Sequence, residues 1–341
     1  MASPCRQPPL PPRLPLLALT LLLLPAAAAA AAAPRGRPAA AVALRRGWNL
    51  GDTLETTQYN PGVAAPWVFD SVKRAGFDWC RIPVQWGPHT AATVPFAIDP
   101  AFMAKVHETV DWALKAGLVA MINTHHETWL DNATAFETQL PRLLSIWEQI
   151  GKEFAGVPDA ALVFEILNEP SNINITQLNA MNAAVLPVIR KANPTRQVHL
   201  GGLAKMGSWW VLQHPDEMLI PADDRNLALT VHSYTPWNFA GPGPATIVPP
   251  ATRPQHKGPT DHAFTAADEA AASETMRSLA AWGQRKLGAA SKVVHDEFGC
   301  TVMQSNRTAR LLYYNTYRAA AEAAGVGWAV WVSAAAPFAS S

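Results

Sequence analysis

Two glutamates stand out because each one lies at the end of a predicted strand. Glu169 lies near the end of the stretch Ala161 to Pro170, and Glu297 closes a second stretch that begins at Lys292. A pair of carboxyl groups can cleave a glycosidic bond, since one protonates the leaving oxygen while the other attacks the sugar or activates water. The two glutamates are therefore the candidate catalytic pair.

The stretch before Glu169 predicts a buried central strand. Five of its six central positions are large and apolar: Leu162, Val163, Phe164, Ile166 and Leu167. Such a run is typical of a strand that is covered on both faces. Pro170 ends the strand because it has no N–H group to donate. In parallel α/β folds, catalytic groups gather at this carboxyl end of the strands.

Alternating helical and strand-like segments predict an α/β fold, a single-domain (β/α)8 TIM barrel. Ala75-Gly76, Ala116-Gly117 and Ala324-Gly325 each end a helix with a left-handed glycine cap and lead into an apolar strand. A doubly wound open sheet is the competing fold, but no glycine-rich phosphate loop follows the first strand. The eight predicted strands are Arg46 to Leu50, Trp79 to Val84, Leu118 to Thr124, Leu162 to Asn168, Gln197 to Gly201, Leu227 to Ser233, Lys292 to Glu297 and Val326 to Val332.

The first 33 residues predict a secretory signal peptide. Arg6 and Arg13 precede an apolar run from Leu14 to Leu24, and the alanines from Ala26 to Ala33 offer a cleavage site. An uncleaved membrane anchor is the alternative, because the apolar part is about 20 residues long. We expect cleavage, an extracellular location, and a catalytic domain over residues 34–341.

Composition argues against a nucleic-acid partner. The net charge is +1 and only 16% of the residues are charged, whereas nucleic-acid binding domains carry a basic patch. Three sequons, at Asn132, Asn174 and Asn306, agree with secretion. Beyond the signal, Cys80 and Cys300 are the remaining cysteines and are expected to be buried free thiols. We expect a monomer with no cofactor, no metal and no stable membrane partner after cleavage.

One long segment, Pro236 to Thr265, is rich in proline and glycine and follows the sixth predicted strand. Proline at this density excludes a helix or a central strand. In a barrel, the segment lies on the catalytic face, where it would wall a cleft. A mobile surface excursion is the alternative.

Polar or aromatic side chains recur at the ends of the predicted strands, where a hydrophobic core does not require them. Arg81 can hold the attacking carboxylate ionised, and Asn168 can hydrogen-bond a sugar 2-hydroxyl group. Trp331 can stack beneath a pyranose ring, and the remaining three side chains can position hydroxyl groups and tune the glutamates. The predicted substrate-binding residues are Arg81, His125, Asn168, His232, Tyr234 and Trp331.

From Gly47 almost to the C-terminus, the chain resembles glycoside hydrolase family 5, the cellulase-like retaining glycosidases. The resemblance implies a TIM barrel in which Glu169 is the acid/base and Glu297 the nucleophile, with carboxyl groups about 5 to 5.5 Å apart. It also implies that the six substrate-binding candidates lie in the active site. The matching segments are Gly47 to Glu55, Arg81 to Val84, Ile122 to Glu127, Phe164 to Pro170, His232 to Pro236 with Phe239, and Glu297 to Gly299.

Within that family the chain is most similar to endo-β-glucanases that cut cellulose, mixed-linkage glucan or xyloglucan. This similarity implies hydrolysis of a β-1,4-linked glucan by double displacement. A β-mannanase is the nearest alternative, because the subsites in the sequence do not separate glucose from mannose. Two further alternatives are a non-catalytic sugar-binding barrel and a metal-dependent barrel hydrolase, which would use His125, His126, His232 and Asp296.

Some residues depart from the family pattern or lie beside its motifs. Asp52 and Asp296 replace the usual Asn and Gly, and Asp296 is expected to face the helix layer because it alternates with Glu297. His126 is expected to point away from the site. Glu165 is expected about 13 Å below Glu169, in an ion pair or at a solvated lower end. The residues after Trp331 are too few for a full last helix, so this helix is predicted to be truncated or missing.

Overall fold

The computed structural model describes residues 41–56, 64–240, 263–300 and 305–332. Eight parallel strands close a barrel in sequence order, and the last strand pairs with the first. The predicted TIM barrel is therefore confirmed, and each predicted strand overlaps an observed one. The strands are β1 Arg46–Asn49, β2 Trp79–Ile82, β3 Val119–Asn123, β4 Leu162–Glu165, β5 Val198–Gly201, β6 Leu227–His232, β7 Val293–Phe298 and β8 Gly327–Val330.

Helices connect the strands and pack their apolar sides on the outside of the barrel. As predicted, Gly76, Gly117 and Gly325 follow helices with φ values of 92°, 78° and 71°. The helices are α1 Pro66–Arg74, α2 Pro100–Lys115, α3 Phe136–Glu153, α4 Ile175–Ala192, α5 Leu203–Met206, α6 Ser208–Gln213, α7 Trp237–Ala240, α8 Ala266–Leu287 and α9 Arg307–Ala324, with short 3-10 turns at Gly87–His89 and Ala290–Lys292.

The barrel interior changes character from one end to the other. Its lower end, where the strands begin, holds a separate buried apolar cluster. Because side chains alternate along a strand, the next interior position is two residues further on. In β2 this step leads from Trp79 to Arg81, and in β4 from Val163 to Glu165, all four fully buried. The lower cluster consists of Leu44, Trp79, Met121, Val163, Val294 and Ala329.

Three predicted segments lie wholly or mostly outside the described residues. These are the signal peptide at 1–33, the proline-rich segment after β6, of which 241–262 are not described, and the C-terminal residues 333–341 that bear on the last helix. Over the described ranges, the helices are too short or too polar to cross a membrane. Cys80 is a buried free thiol as predicted, whereas Cys300 is half-buried.

Candidate active site

The two glutamates of the predicted pair meet at the upper end of the barrel, where the strands end. One carboxylate oxygen of Glu169 and one of Glu297 lie within 4.8 Å of each other, and His232 lies within the same distance of both. Glu297 is almost fully buried, whereas the Glu169 side chain is 24% exposed. Glu169 therefore faces the open cleft, and Glu297 faces it from deeper in the barrel.

Glu169 is presented by an unusual backbone. β4 ends at Glu165, and Glu169 itself has a left-handed φ of 49°. Beside it, α5 contains three successive left-handed residues, Ala204, Lys205 and Met206. The N–H of Glu169 points at the Met206 sulfur at 3.2 Å, and the N–H of Lys205 donates to Pro170 O at 3.3 Å. Such conformations cost about 1 to 2 kcal/mol per residue, so backbone strain is concentrated around this carboxylate.

Glu297 reaches the interior because β7 contains a bulge. Val231 pairs with His295 and His232 pairs with Glu297, so Asp296 has no partner on β6. Regular alternation from the interior residue Val294 already directs Asp296 inward, and the extra residue then turns Glu297 inward as well. The prediction that Asp296 faces the helix layer is therefore wrong. It is 0% exposed inside the barrel.

Arg81 links the buried acids of the upper interior. Its guanidinium makes a bidentate pair with Glu165, with Nε to Oε2 at 2.7 Å and Nη2 to Oε1 at 2.9 Å. It also donates to Glu297 Oε2 at 3.0 Å and to Asn168 Oδ1 at 2.7 Å. Burial disfavours its charge, but the neighbouring carboxylates, Glu165 first, raise the pKa of Arg81 above its usual range. This single cation therefore holds several acids together.

The structure corrects one expectation about Glu165 and confirms another. The ion pair is confirmed, but the solvated lower end is wrong, because Glu165 is 0% exposed. The separation of about 13 Å along the strand stays a prediction. Glu165 and Asn168 bind the same nitrogen of Arg81.

Two side chains from the end of β6 contact the glutamates. Tyr234 Oη donates to Glu297 Oε1 at 2.8 Å, and His232 Nδ1 lies 2.9 Å from Glu169 Oε1. Burial and then the charge of Glu297 raise the pKa of Tyr234 well above its usual range, so the hydroxyl keeps its proton. Burial would raise the pKa of Glu169, but the hydrogen bond and charge of His232 outweigh it and lower that pKa. Burial raises the pKa of Glu297.

The end of β3 and the end of β8 supply the remaining predicted side chains. His125 is buried, stacks on Trp331 with ring centroids 6.0 Å apart, and lies 3.1 Å from Asn123 Nδ2. Burial lowers the pKa of His125, which favours a neutral imidazole. His126 does not turn away from the site as expected. It is exposed and packs edge-on against His125, with ring centroids 4.3 Å apart. Partial burial lowers the pKa of His126, and the nearby charge of Glu169 opposes this effect.

Comparison with known proteins identifies the family. Residues 48–336 match the description "Cellulase (glycosyl hydrolase family 5)". The chain belongs to glycosyl hydrolase family 5. The resemblance seen in the sequence motifs is therefore confirmed over residues 48–336.

Individual members of family 5 align with much of this chain. Endoglucanase H of Acetivibrio thermocellus is 41% identical over 196 residues, which are 57% of this chain and 21% of that protein, so the chain spans about a fifth of this relative. A hyperthermophilic endo-beta-1,4-glucanase solved in complex with substrate has a TM-score of 0.73 and 31% identity, covering 85% of this chain and 88% of the other. Cel5A of Thermotoga maritima, solved in complex with a mannotriose substrate, has a TM-score of 0.72 and 27% sequence identity. The match covers 85% of this chain and 90% of the other.

The cleft of this family 5 chain also contains residues that the sequence did not single out. It has a volume of about 580 Å³ and is lined by both glutamates, His232, Tyr234 and Trp331. Trp209 and Trp237 line it as well, and they are 52% and 61% exposed. Trp237 directly follows the matched motif that ends at Pro236, which is the signal that could have found it. Trp209 lies after the left-handed turn of α5 and had no comparable signal.

The metal-dependent alternative is not favoured by the geometry. Among the described residues, the acidic and histidine atoms that come together are those of Glu169, His232 and Glu297, not the four residues that this alternative named. Arg81 Nη1 donates to Glu297 at 3.0 Å, and the hydroxyl of Tyr234 donates to the same carboxylate. A guanidinium this close repels a cation, so the group is better suited to acid and base chemistry.

Proposed function

We propose that this family 5 protein is a retaining endo-β-glycosidase that hydrolyses β-1,4-linked glucan by double displacement. Glu169 is the acid/base and Glu297 the nucleophile. The observation that carries this proposal is the short distance between the two carboxylates. One oxygen of Glu169 lies within 4.8 Å of one oxygen of Glu297. Inverting enzymes separate their carboxyl groups by roughly 6.5 to 9.5 Å to admit a water molecule. The short separation favours direct attack by Glu297.

The first step forms a covalent bond between the sugar and Glu297. A carboxylate oxygen of Glu297 attacks the anomeric carbon as the bond to the leaving oxygen breaks, and that oxygen takes a proton from Glu169. Arg81 and Tyr234 hold Glu297 ionised and oriented through contacts of 3.0 and 2.8 Å. In the second step Glu169 removes a proton from water, which attacks the anomeric carbon and releases Glu297.

The contact between Glu169 and His232 supplies the proton. His232 lowers the pKa of Glu169, whereas a carboxyl group that acts as an acid near neutral pH needs a raised pKa. However, His232 Nδ1 and Glu169 Oε1 are 2.9 Å apart and share one proton. The proton can reside on either atom, and the total charge of the pair is the same in both cases. The proton passes to Glu169 as the leaving oxygen develops negative charge, and it returns during the second step.

The substrate proposal rests on the named relatives and on the cleft. Two of the compared proteins are named endoglucanase or endo-beta-1,4-glucanase. Trp209, Trp237 and Trp331 present indole rings to the cleft, and indoles stack on sugar rings. β-Mannan is the second candidate, because the Thermotoga maritima relative was solved with mannotriose.

We also propose that the protein is secreted as a monomer after removal of residues 1–33, which leaves the catalytic domain at 34–341. The basic, apolar and alanine-rich order of the N-terminus supports this proposal. Expression in a secreting host, followed by sequencing of the mature N-terminus and light scattering, tests it. A product that keeps residues 1–33 would contradict the cleavage.

A panel of polysaccharides tests the catalytic proposal. Reducing-sugar release is measured on carboxymethyl cellulose, barley β-glucan, xyloglucan and mannan, and proton NMR follows the anomeric configuration of the first products. We expect release from at least one β-glucan with β-configured products. The Glu297→Gln variant, which keeps the side-chain size, is the control. Release from none of the four would overturn the proposal, and α-configured products would overturn the retaining mechanism.

A further inference from the structure

Asp296 is a fully buried acid for which the two-step mechanism has no role. Its Oδ2 lies 3.2 Å from Arg81 Nε, and its Oδ1 lies 3.4 Å from His232 Nε2. Arg81 Nε already donates to Glu165 at 2.7 Å. Among the described side chains, both carboxylate oxygens of Asp296 and the Nε2 of His232 are buried without a hydrogen-bond partner of good geometry. Asp296 Oδ1 is closer to His232 Nε2 than Glu297 Oε2 is, which lies 3.7 Å away, so Asp296 is the better-placed acceptor for this nitrogen.

The position of Asp296 makes this contact specific. It is the bulged residue of β7, so it faces inward beside Glu297 rather than alternating with it. His232 lies opposite on β6, and its other ring nitrogen contacts Glu169. The order Asp296, His232, Glu169 thus forms a continuous chain of polar contacts from the barrel interior to the cleft.

We propose that Asp296 is a positioning residue that keeps His232 doubly protonated, so that the pair of His232 and Glu169 holds its proton to higher pH. This inference rests on the proposed role of Glu169 as the acid. Asp296 does not touch the sugar in this scheme and acts through His232. An imidazolium donates from both ring nitrogens, to Asp296 on one side and to Glu169 on the other.

The charges around His232 favour the imidazolium. Among the described residues, four carboxylates share the upper interior with one guanidinium, so a second positive charge reduces the excess of negative charge. Burial disfavours the charged ring, but Glu297, followed by Asp296, outweighs it and raises the pKa of His232 well above its usual range. Ionisable groups face this cluster from every strand from β2 to β7. Among the described residues they are Arg81 from β2, His125 and His126 after β3, Glu165 and Glu169 from β4 and its loop, His199 from β5, Lys205 from α5, Tyr234 after β6, and His295, Asp296 and Glu297 from β7.

The sign of the pH effect follows from this arrangement. A histidine with a raised pKa keeps its proton below that pKa and loses it as the pH rises through it. Once the pair has lost this proton, Glu169 has none to give, so hydrolysis stops on the alkaline side. Since a negative charge within about 4 to 6 Å raises such a pKa by about 1 to 3 units, Asp296 should move the alkaline limit upward by a comparable amount.

The test removes only the charge of Asp296. Asp296→Asn keeps the size and one oxygen acceptor, and the His232 titration is followed by NMR of protein labelled with ¹⁵N-histidine, with the resonance assigned from a His232→Gln variant. We expect the titration midpoint to fall by about one pH unit or more. The alkaline limb of kcat/KM on barley β-glucan should move in the same direction. Asp111→Asn, on the outer helix α2, is the matched control and should change neither.

The outcomes separate this inference from the proposed function. An unchanged His232 midpoint in Asp296→Asn, or a loss of kcat at every pH without a shift of the alkaline limb, would overturn the role of Asp296. If the wild-type protein hydrolyses nothing, the proposed function fails while the NMR titration still reports on the contact. If Asp296→Asn does not fold, Asp296→Gly, which removes the charge and the bulk, provides the same two measurements.

Discussion

The two ends of the barrel interior are built from the same eight strands but from opposite kinds of side chain. Moving two residues along a strand, a distance of about 7 Å, replaces Trp79 by Arg81 and Val163 by Glu165. The lower end is an apolar cluster, whereas the upper end is a network of buried charges centred on one guanidinium. The four side chains Trp79, Arg81, Val163 and Glu165 are all 0% exposed.

Burial therefore has opposite effects on stability at the two ends of the barrel. At the lower end it stabilises the protein by removing apolar area from water. At the upper end burial of charge is costly, because the desolvation penalty can exceed the attraction between the charges. Sequence positions that break the apolar pattern of the interior therefore mark the site, and changes at the two ends should have separable effects on activity and stability.

The largest effect on activity is expected for Glu297→Gln at the upper end. Loss of the nucleophile should reduce kcat by on the order of 10⁴-fold or more, because no glycosyl-enzyme can form. Initial rates on barley β-glucan measure the loss, and thermal unfolding checks the fold. Residual activity within tenfold of wild type would show that the upper network is not the catalytic centre.

Arg81→Met should lower both activity and stability, unlike a substitution in the lower apolar cluster, which should lower stability alone. Removing the guanidinium of Arg81 leaves the carboxylates of Glu165, Asp296 and Glu297 without the cation that pairs with all three. We expect the free energy of unfolding to fall by about 3 to 5 kcal/mol, and hydrolysis to be lost. Urea unfolding monitored by tryptophan fluorescence measures the first quantity. Arg81→Lys, which keeps one charge, is the matched control and should be less destabilised.

A smaller decrease in kcat is expected for the Tyr234→Phe variant. This variant removes the 2.8 Å hydrogen bond to Glu297 and leaves the ring in place. A hydrogen bond to a charged group contributes about 1.5 to 3 kcal/mol, which corresponds to a decrease in kcat of about 10 to 100-fold. The melting temperature should stay close to that of the wild type. An unchanged kcat would argue that Tyr234 does not orient the nucleophile.

The smallest effect on activity is expected at the lower end, for Met121→Ala. A cavity in this packed cluster should lower the free energy of unfolding by about 2 to 5 kcal/mol. Met121 pairs with Arg81 along the β2–β3 ladder, but its side chain belongs to the lower apolar cluster and carries no charge. We therefore expect kcat/KM measured well below the melting temperature to stay within a few-fold of wild type. A selective loss of activity in the folded variant would break the distinction between the two ends.

The sequence predicted the barrel and the members of the site because both depend on local patterns. Apolar runs and glycine caps identify strands and helix ends, and strand ends of a parallel barrel converge on one face. Asp296 was misplaced because a single bulged residue changes the face of the side chains that follow it, and a bulge has no clear signal in one sequence. Glu165 is buried rather than solvated because it pairs with Arg81, which is 84 residues away in the sequence. Trp209 was missed because its position depends on the left-handed turn at α5.

The central claim is that Glu297 attacks the sugar while Glu169 supplies the proton. The most direct test incubates the protein with an activated 2-deoxy-2-fluoro cellobioside, whose fluorine slows breakdown of a covalent intermediate. Mass spectrometry of the intact protein and of its peptides then locates the label. We predict one added fluoro-cellobiosyl group, on the peptide that contains Glu297, and none in Glu297→Gln. A label on Glu169, or hydrolysis of β-glucan with no covalent label and with inverted products, would contradict the account.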